Sequence, residues 1–181
     1  TISVLSNDTI APHYVLTDFD RTLGLWMPMD WVSGPIGSEA PIDISGHDGA
    51  NVFKFGDANQ TATGKFGAGF MFDGSGDYLS VSDYSGINIS GPAFSSSLWF
   101  KYNSNSIPIQ TILQKRVTSA QSFGNISYGI KLVGNALAFD ITTLSTSTGN
   151  GGASFQISNA LSPGVWYHSV VTYNGTTIQS Y

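Results

Sequence analysis

The 181-residue chain contains no cysteine, which removes a disulfide framework, a zinc–thiolate site and a thiol nucleophile at once. Its stability must therefore come from the core or from something bound. Charge is scarce as well: Asp, Glu, Lys and Arg make up 10% of the residues, against roughly 25% in an ordinary soluble domain. Glu39 is the single glutamate. Ser, Thr, Gly and Asn stand in place of charge, and a polar but weakly charged surface fits an exterior location better than the cytosol. The seven Lys and Arg are dispersed and the net charge is −5, so nothing tracks a phosphate backbone by displacing counterions, and nucleic acid is excluded as a partner. No apolar run approaches the roughly 20 residues that span a bilayer, so membrane insertion is not expected of this segment. No signal-peptide pattern opens the chain, and Thr1 is expected to be a mature or trimmed end.

What is present is a folding composition, with 41% hydrophobic and 13% aromatic residues in a length that suits one core. Helical spacing of apolar residues never persists, whereas period-2 alternation recurs throughout. Phe94, Leu98, Phe100 and Tyr102 alternate with Ser95, Ser97, Trp99 and Lys101, the pattern of a strand with one buried face. Tyr128, Ile130 and Leu132 pair with Leu137, Phe139 and Ile141 across a turn at Gly134-Asn135, and Asn174-Gly175 marks a second hairpin between Val165–Tyr173 and Thr176–Tyr181. Further strands are predicted at Leu23–Asp30, Val52–Phe55, Ala68–Phe72, Tyr78–Ser82, Ile109–Lys115 and Ser154–Ser158. Short strands with Gly, Pro, Asn and Asp between them predict an all-β sandwich or barrel. Ser33–Gly49 and Thr142–Gly152 read as loops, and residues 1–22 as an N-terminal linker or extra edge strand ahead of one domain over 23–181.

Six segments in order carry a family resemblance: Gly24–Asp30, Asp43–Gly46, Gly64–Ala68, Phe72–Leu79, Ser97–Lys101 and Trp166–Gly175. Together they resemble the laminin-G-like jelly-roll domains of the concanavalin A-like lectin/glucanase superfamily. The resemblance implies two antiparallel sheets packed face to face over a core about 10 Å thick. It also implies a non-catalytic module of surface adhesins, polysaccharide-active multidomain proteins or other extracellular assemblies. Family members continue past the strand represented by Thr176–Tyr181, so the resemblance implies that the last strands of the sandwich lie outside this chain. They would be supplied by a continuing polypeptide, by a neighbouring chain through strand addition, or by residues 1–22 folding back.

Enzymatic readings find little support. Retaining glycosidases of this architecture need two carboxylates about 5 Å apart, and Glu39 stands alone while Asp73 and Asp77 flank a Gly-Ser-Gly turn. The segment His13–Leu23 resembles the first motif of haloacid-dehalogenase-type phosphatases, with Asp18 and Asp20 as nucleophile and proton handler, but the alternating helices that chemistry requires do not follow it. His13, His47 and His168 are far apart, and no G-x-S-x-G elbow is present.

Binding readings fare better. Calcium takes six to eight oxygens from Asp, Asn and backbone carbonyls; Asp30, Asp43 and Asn51 are the expected ligands, with Asx-turns at Asp43 and Asp48 as the competing explanation. Trp31 and Tyr84, in loops beside small polar residues, are the expected carbohydrate platform. Trp26, Trp99 and Trp166 lie within strand patterns and are expected in the core. Sequons at Asn7, Asn59, Asn88, Asn125 and Asn174 predict a glycoprotein. These features make a cell-surface or extracellular module for adhesion, glycan recognition or assembly of a layer, filament or particle the leading expectation. Its partners would be glycans, other surface proteins or copies of itself through strand addition. The alternative is a carbohydrate-binding module of a larger polysaccharide-active enzyme, and a phosphatase using Asp18 and Asp20 is the third.

Overall fold

A computed structural model describes residues 22–47, 50–88, 93–104, 106–116, 126–142 and 152–181. Strands and connecting loops make up nearly all of it, with one 3₁₀ turn at Ser85–Ile87. Every strand pairing is antiparallel. The chain divides into two compact units, Thr1–Gly86 and Ile87–Tyr181.

The first unit is built from three short ladders: β1 (Val32–Ser33) with β2 (Ala40–Pro41), β3 (Val52–Phe55) with β6 (Tyr78–Val81), and β4 (Asn59–Thr61) with β5 (Gly69–Met71). The segment Leu23–Asp30, expected to be a strand, joins no ladder. Its backbone is claimed locally instead, because the Asp43 carboxylate accepts the Trp26 N–H at 2.7 Å while the Trp26 carbonyl accepts from Ile44 at 2.9 Å. The expected Ser33–Gly49 loop begins on β1 and contains β2.

The second unit holds the larger sheets. One runs β11 (Gly152–Ala160), β10 (Ala136–Thr142), β9 (Ile126–Val133), β8 (Ile109–Arg116); the other runs β13 (Ile178–Ser180), β12 (Tyr167–Tyr173), β7 (Phe94–Phe100). Alternation sends Tyr128, Ile130 and Leu132 of β9 and Leu137, Phe139 and Ile141 of β10 to one face. There they meet Phe100 and Val171 of the three-stranded sheet, with Phe94, Leu98, Tyr167, Tyr173 and Ile178 packed around them. Phe94 spans the two sheets, 4.3 Å from the Tyr128 ring centre and 6.3 Å from that of Phe139. This is sheet-on-sheet packing, the sandwich the residue pattern implies.

The β9–β10 turn forms at Gly134-Asn135 as expected, Val133 pairing with Ala136 and Gly134 at φ 61°. Such a backbone angle suits glycine, which has no Cβ to clash. The β12–β13 connection is longer than the Asn-Gly signal suggested, since Tyr173 pairs with Ile178 across four residues. Asn174 stabilises it by accepting the N–H groups of Thr176 and Thr177 on its side-chain oxygen at 3.0 and 2.8 Å. One buried side-chain oxygen among those described, Ser96 Oγ, has no hydrogen-bond partner.

Candidate functional site

The outward face of the three-stranded sheet is the best-formed surface of the second unit. In β7, Phe94, Leu98 and Phe100 point to the core, so Ser95, Ser97 and Trp99 point away. Residues opposite one another on antiparallel strands share a face, and Trp99 lies opposite His168. Their rings stack with centres 4.7 Å apart and planes 12° from parallel. His168 Nε2 also shares a 2.9 Å hydrogen bond with Ser97 Oγ, which fixes the imidazole plane from its other side. Beyond this pair, the Lys101 ammonium lies 5.2 Å from the centre of the Trp166 ring. Trp99 is 40% exposed, contrary to the core position expected from its apolar type. The face offers a stacked ring platform, an imidazole, hydroxyls and a cation to solvent.

The opposite sheet treats its own outward face differently. Ala138 and Asp140 alternate with core residues of β10, yet both are buried. There Lys131 and Asp140 form an ion pair at 2.6 Å, with side chains 11% and 10% exposed. Asp140 is the only acidic residue from Ile87 to Tyr181, a stretch with four Lys and Arg; the stretch from Thr1 to Gly86 has eleven acidic residues and three Lys and Arg.

The first unit carries a second stacked pair, Phe55 and Tyr78, opposite each other on β3 and β6 with ring centres 4.5 Å apart and planes 8° from parallel. Asp57, Asp73 and Asp77 lie beside it, each offering an oxygen within 4.8 Å of the others. Asp77 accepts the N–H groups of Asp57 and Asp73 at 2.8 and 3.0 Å, and Asp73 accepts that of Ser75 at 2.6 Å. The hydrogen bond shared with Asp77, reinforced by the charges of Asp77 and Asp73, holds the Asp57 carboxyl above its ordinary value. The Asp73 and Asp57 N–H groups hold Asp77 below its own, despite some desolvation. The donor set could hold a divalent cation, with Asp57, Asp73 and Asp77 as the residues that would bind it.

The residues singled out by sequence fall elsewhere. Asp30 Oδ1 accepts the Ala68 N–H at 2.8 Å beneath Gly67, where an added Cβ would lie 2.1 Å from that oxygen. Asp43 accepts Trp26 N–H and Ser45 N–H and hydroxyl, an Asx-type arrangement, and Asn51 uses its backbone carbonyl to accept from Ser82. Asp30 and Asp43 thus serve separate turns. Trp31 is exposed at the start of the β1–β2 hairpin. Tyr84 is half-buried, its hydroxyl donating to the Gly24 carbonyl, and burial followed by the Asp43 charge raises that hydroxyl's pKa. Asn59, Asn88 and Asn174 are exposed; Asn7, Asn125, His13, Asp18, Asp20 and Asp48 lie outside the described residues. Neither stacked pair was visible beforehand, because each is made by a strand register. For Trp99 a signal existed in its alternation with Leu98 and Phe100.

In the second unit, two antiparallel sheets packed over one core define a β-sandwich. Residues 73–181 match a laminin-G family model described as the concanavalin A-like lectin/glucanases superfamily, and the chain belongs to that superfamily. It is also similar in fold to a structure of botulinum neurotoxin type C, a protein whose cell entry depends on interaction with two ganglioside molecules. That similarity has a TM-score of 0.53 at 21% identity, over 78% of this chain and 34% of the other, so the chain spans about a third of the length of that structure. No curated protein matches the sequence.

Proposed function

We propose that the chain is a non-catalytic carbohydrate-binding module of an extracellular or cell-surface protein, and that it holds a glycan on the outward face of β7 and β12. The observation that carries this reading is the exposed, hydrogen-bonded Trp99–His168 stack. A pyranose ring presents a face of C–H groups that packs on an aromatic plane, while its hydroxyls need nearby donors and acceptors. Ser97 and His168 supply those. Stacking and the Ser97 bond hold the rings in place before a ligand arrives, so little side-chain freedom remains to be lost on binding. Membership of a superfamily of lectins and glucanases supports the reading, and so does a fold neighbour that engages gangliosides. Glycan-array binding by the 181-residue chain, lost in Trp99→Ala, is the expected result; an array on which both proteins are blank would overturn it.

A second reading, assembly through strand addition, is favoured by a different observation. β11 and β13 each form one edge of a sheet, and Phe155, Gln156, Ile157, Ser158, Ile178 and Ser180 line an open groove of about 480 Å³ between them. An edge of this kind presents backbone donors and acceptors to another strand. Concentration-dependent association in sedimentation experiments would support it, and a monomer at every concentration would remove it.

A further inference from the structure

We infer that the glycan recognised on the Trp99–His168 face is acidic, bearing a carboxylate or sulfate on the sugar that stacks or on its neighbour. The inference rests on the carbohydrate-binding reading and adds the sign of the ligand's charge.

Asp140 is the only side-chain carboxylate from Ile87 to Tyr181, and it is buried against Lys131. The outward face of β7 and β12 therefore has Lys101 at its end and no side-chain carboxylate from its own unit to neutralise that charge. This arrangement runs against the composition of the chain, whose net charge is −5. Lys101 is also well placed. It lies two residues beyond Trp99, just past the end of β7, about 7 Å away along an extended backbone, and its ammonium lies 5.2 Å from the centre of the Trp166 ring, just before β12 begins. A pyranose centred on Trp99 is about 5 Å across, so an acidic substituent on its rim, or on the next sugar toward Trp166, comes within reach of the ammonium. Contact with the Trp166 ring keeps the stem extended along the sheet, where a freely rotating lysine would spend most of its time in solvent.

The experiment compares a uronic-acid oligosaccharide with its carboxyl-reduced form, and a sulfated oligosaccharide with its desulfated form, by calorimetric titration of the 181-residue chain. Expected is tighter binding of the acidic member by about tenfold at low salt, shrinking as salt rises. Lys101→Gln should bring the ratio toward one, and Lys101→Arg should restore it. Lys115→Gln, on β8 of the other sheet, should leave the ratio unchanged. Equal binding of acidic and neutral forms by the parent chain overturns the inference and leaves the carbohydrate-binding reading standing. A ratio that falls as much in Lys115→Gln as in Lys101→Gln also overturns it, since the preference would then reflect overall charge. Failure of every sugar to bind overturns both readings. Circular dichroism and melting of each variant separate lost preference from lost fold.

Discussion

Phe55–Tyr78 and Trp99–His168 are mechanically alike: each is a ring pair placed face to face by one antiparallel register and held on a solvent-facing surface. Electrostatically they are opposites. The first borders three converging carboxylates, whereas the second borders a lysine in a unit whose single carboxylate is buried in an ion pair. If both pairs bind ligands by stacking, the charge at each rim would separate the ligands they accept. The contrast teaches that one chain can present two aromatic surfaces of similar shape and opposite electrostatic surroundings.

The largest effect expected from breaking this contrast lies at its hidden end. Asp140→Ala removes the carboxylate that pairs with the nearly buried Lys131 ammonium and should cost about 3–5 kcal/mol in chemical denaturation, while Asp140→Leu with Lys131→Met should recover most of that loss.

Calcium sharpens the contrast from the other side. If the carboxylate border of Phe55–Tyr78 holds the ion, saturating calcium at 100 times its Kd should raise stability by about 2.7 kcal/mol, and Asp73→Asn should reduce the effect. Acidification should weaken it, and should begin to do so at a higher pH than an ordinary Asp would require, because the hydrogen bond shared with Asp77 and the neighbouring charges raise the Asp57 pKa. Asp77 is held low; its favourable ionisation is present above the ordinary carboxylate range and lost as pH falls through its depressed value. A chelator-insensitive melting curve at neutral pH would assign these carboxylates to turn formation alone.

Replacing one ring of each pair tests the contrast directly. Trp99→Ala should weaken glycan binding by at least about tenfold, the loss typical of an aromatic anchor, whereas Phe55→Ala should leave the same binding unchanged. A smaller effect belongs to the core between the sheets: Ser96→Ala removes a hydroxyl that has no partner and should raise stability by up to about 1 kcal/mol.

Period-2 alternation made the second unit legible, since β7, β9, β10 and β12 are long and each has one face in the core. The first unit was harder to read for a physical reason. Its ladders are two to four residues long, and side chains such as Asp43 and Asp30 capture backbone N–H groups that a strand would have paired. Loop carboxylates were expected to gather around a cation near Asp30, Asp43 and Asn51. The β3–β6 register also carries Asp57 to Asp73 and Asp77, a juxtaposition that spacing along the chain does not reveal. Trp99 shows the opposite difficulty, because its alternation indicated the outer face while its size and apolarity indicated the core. Side-chain type says what a residue prefers, and only the covering layer decides whether the preference is met.

The ion pair on β9 and β10 also bears on how the sheet finds its alignment. Lys131 is opposite Ala138 and diagonal to Asp140, whose own opposite is Gly129. Sliding either strand by one residue would turn its charged member toward Phe139, Ile130 and Leu132, and would strand the other charge at the far face. The correct alignment is the one in which both charges vanish from the core together. A pair of modest worth to the finished structure thus adds an electrostatic penalty for misalignment to the one that the apolar faces already impose, since the same slip would turn one of those faces to solvent.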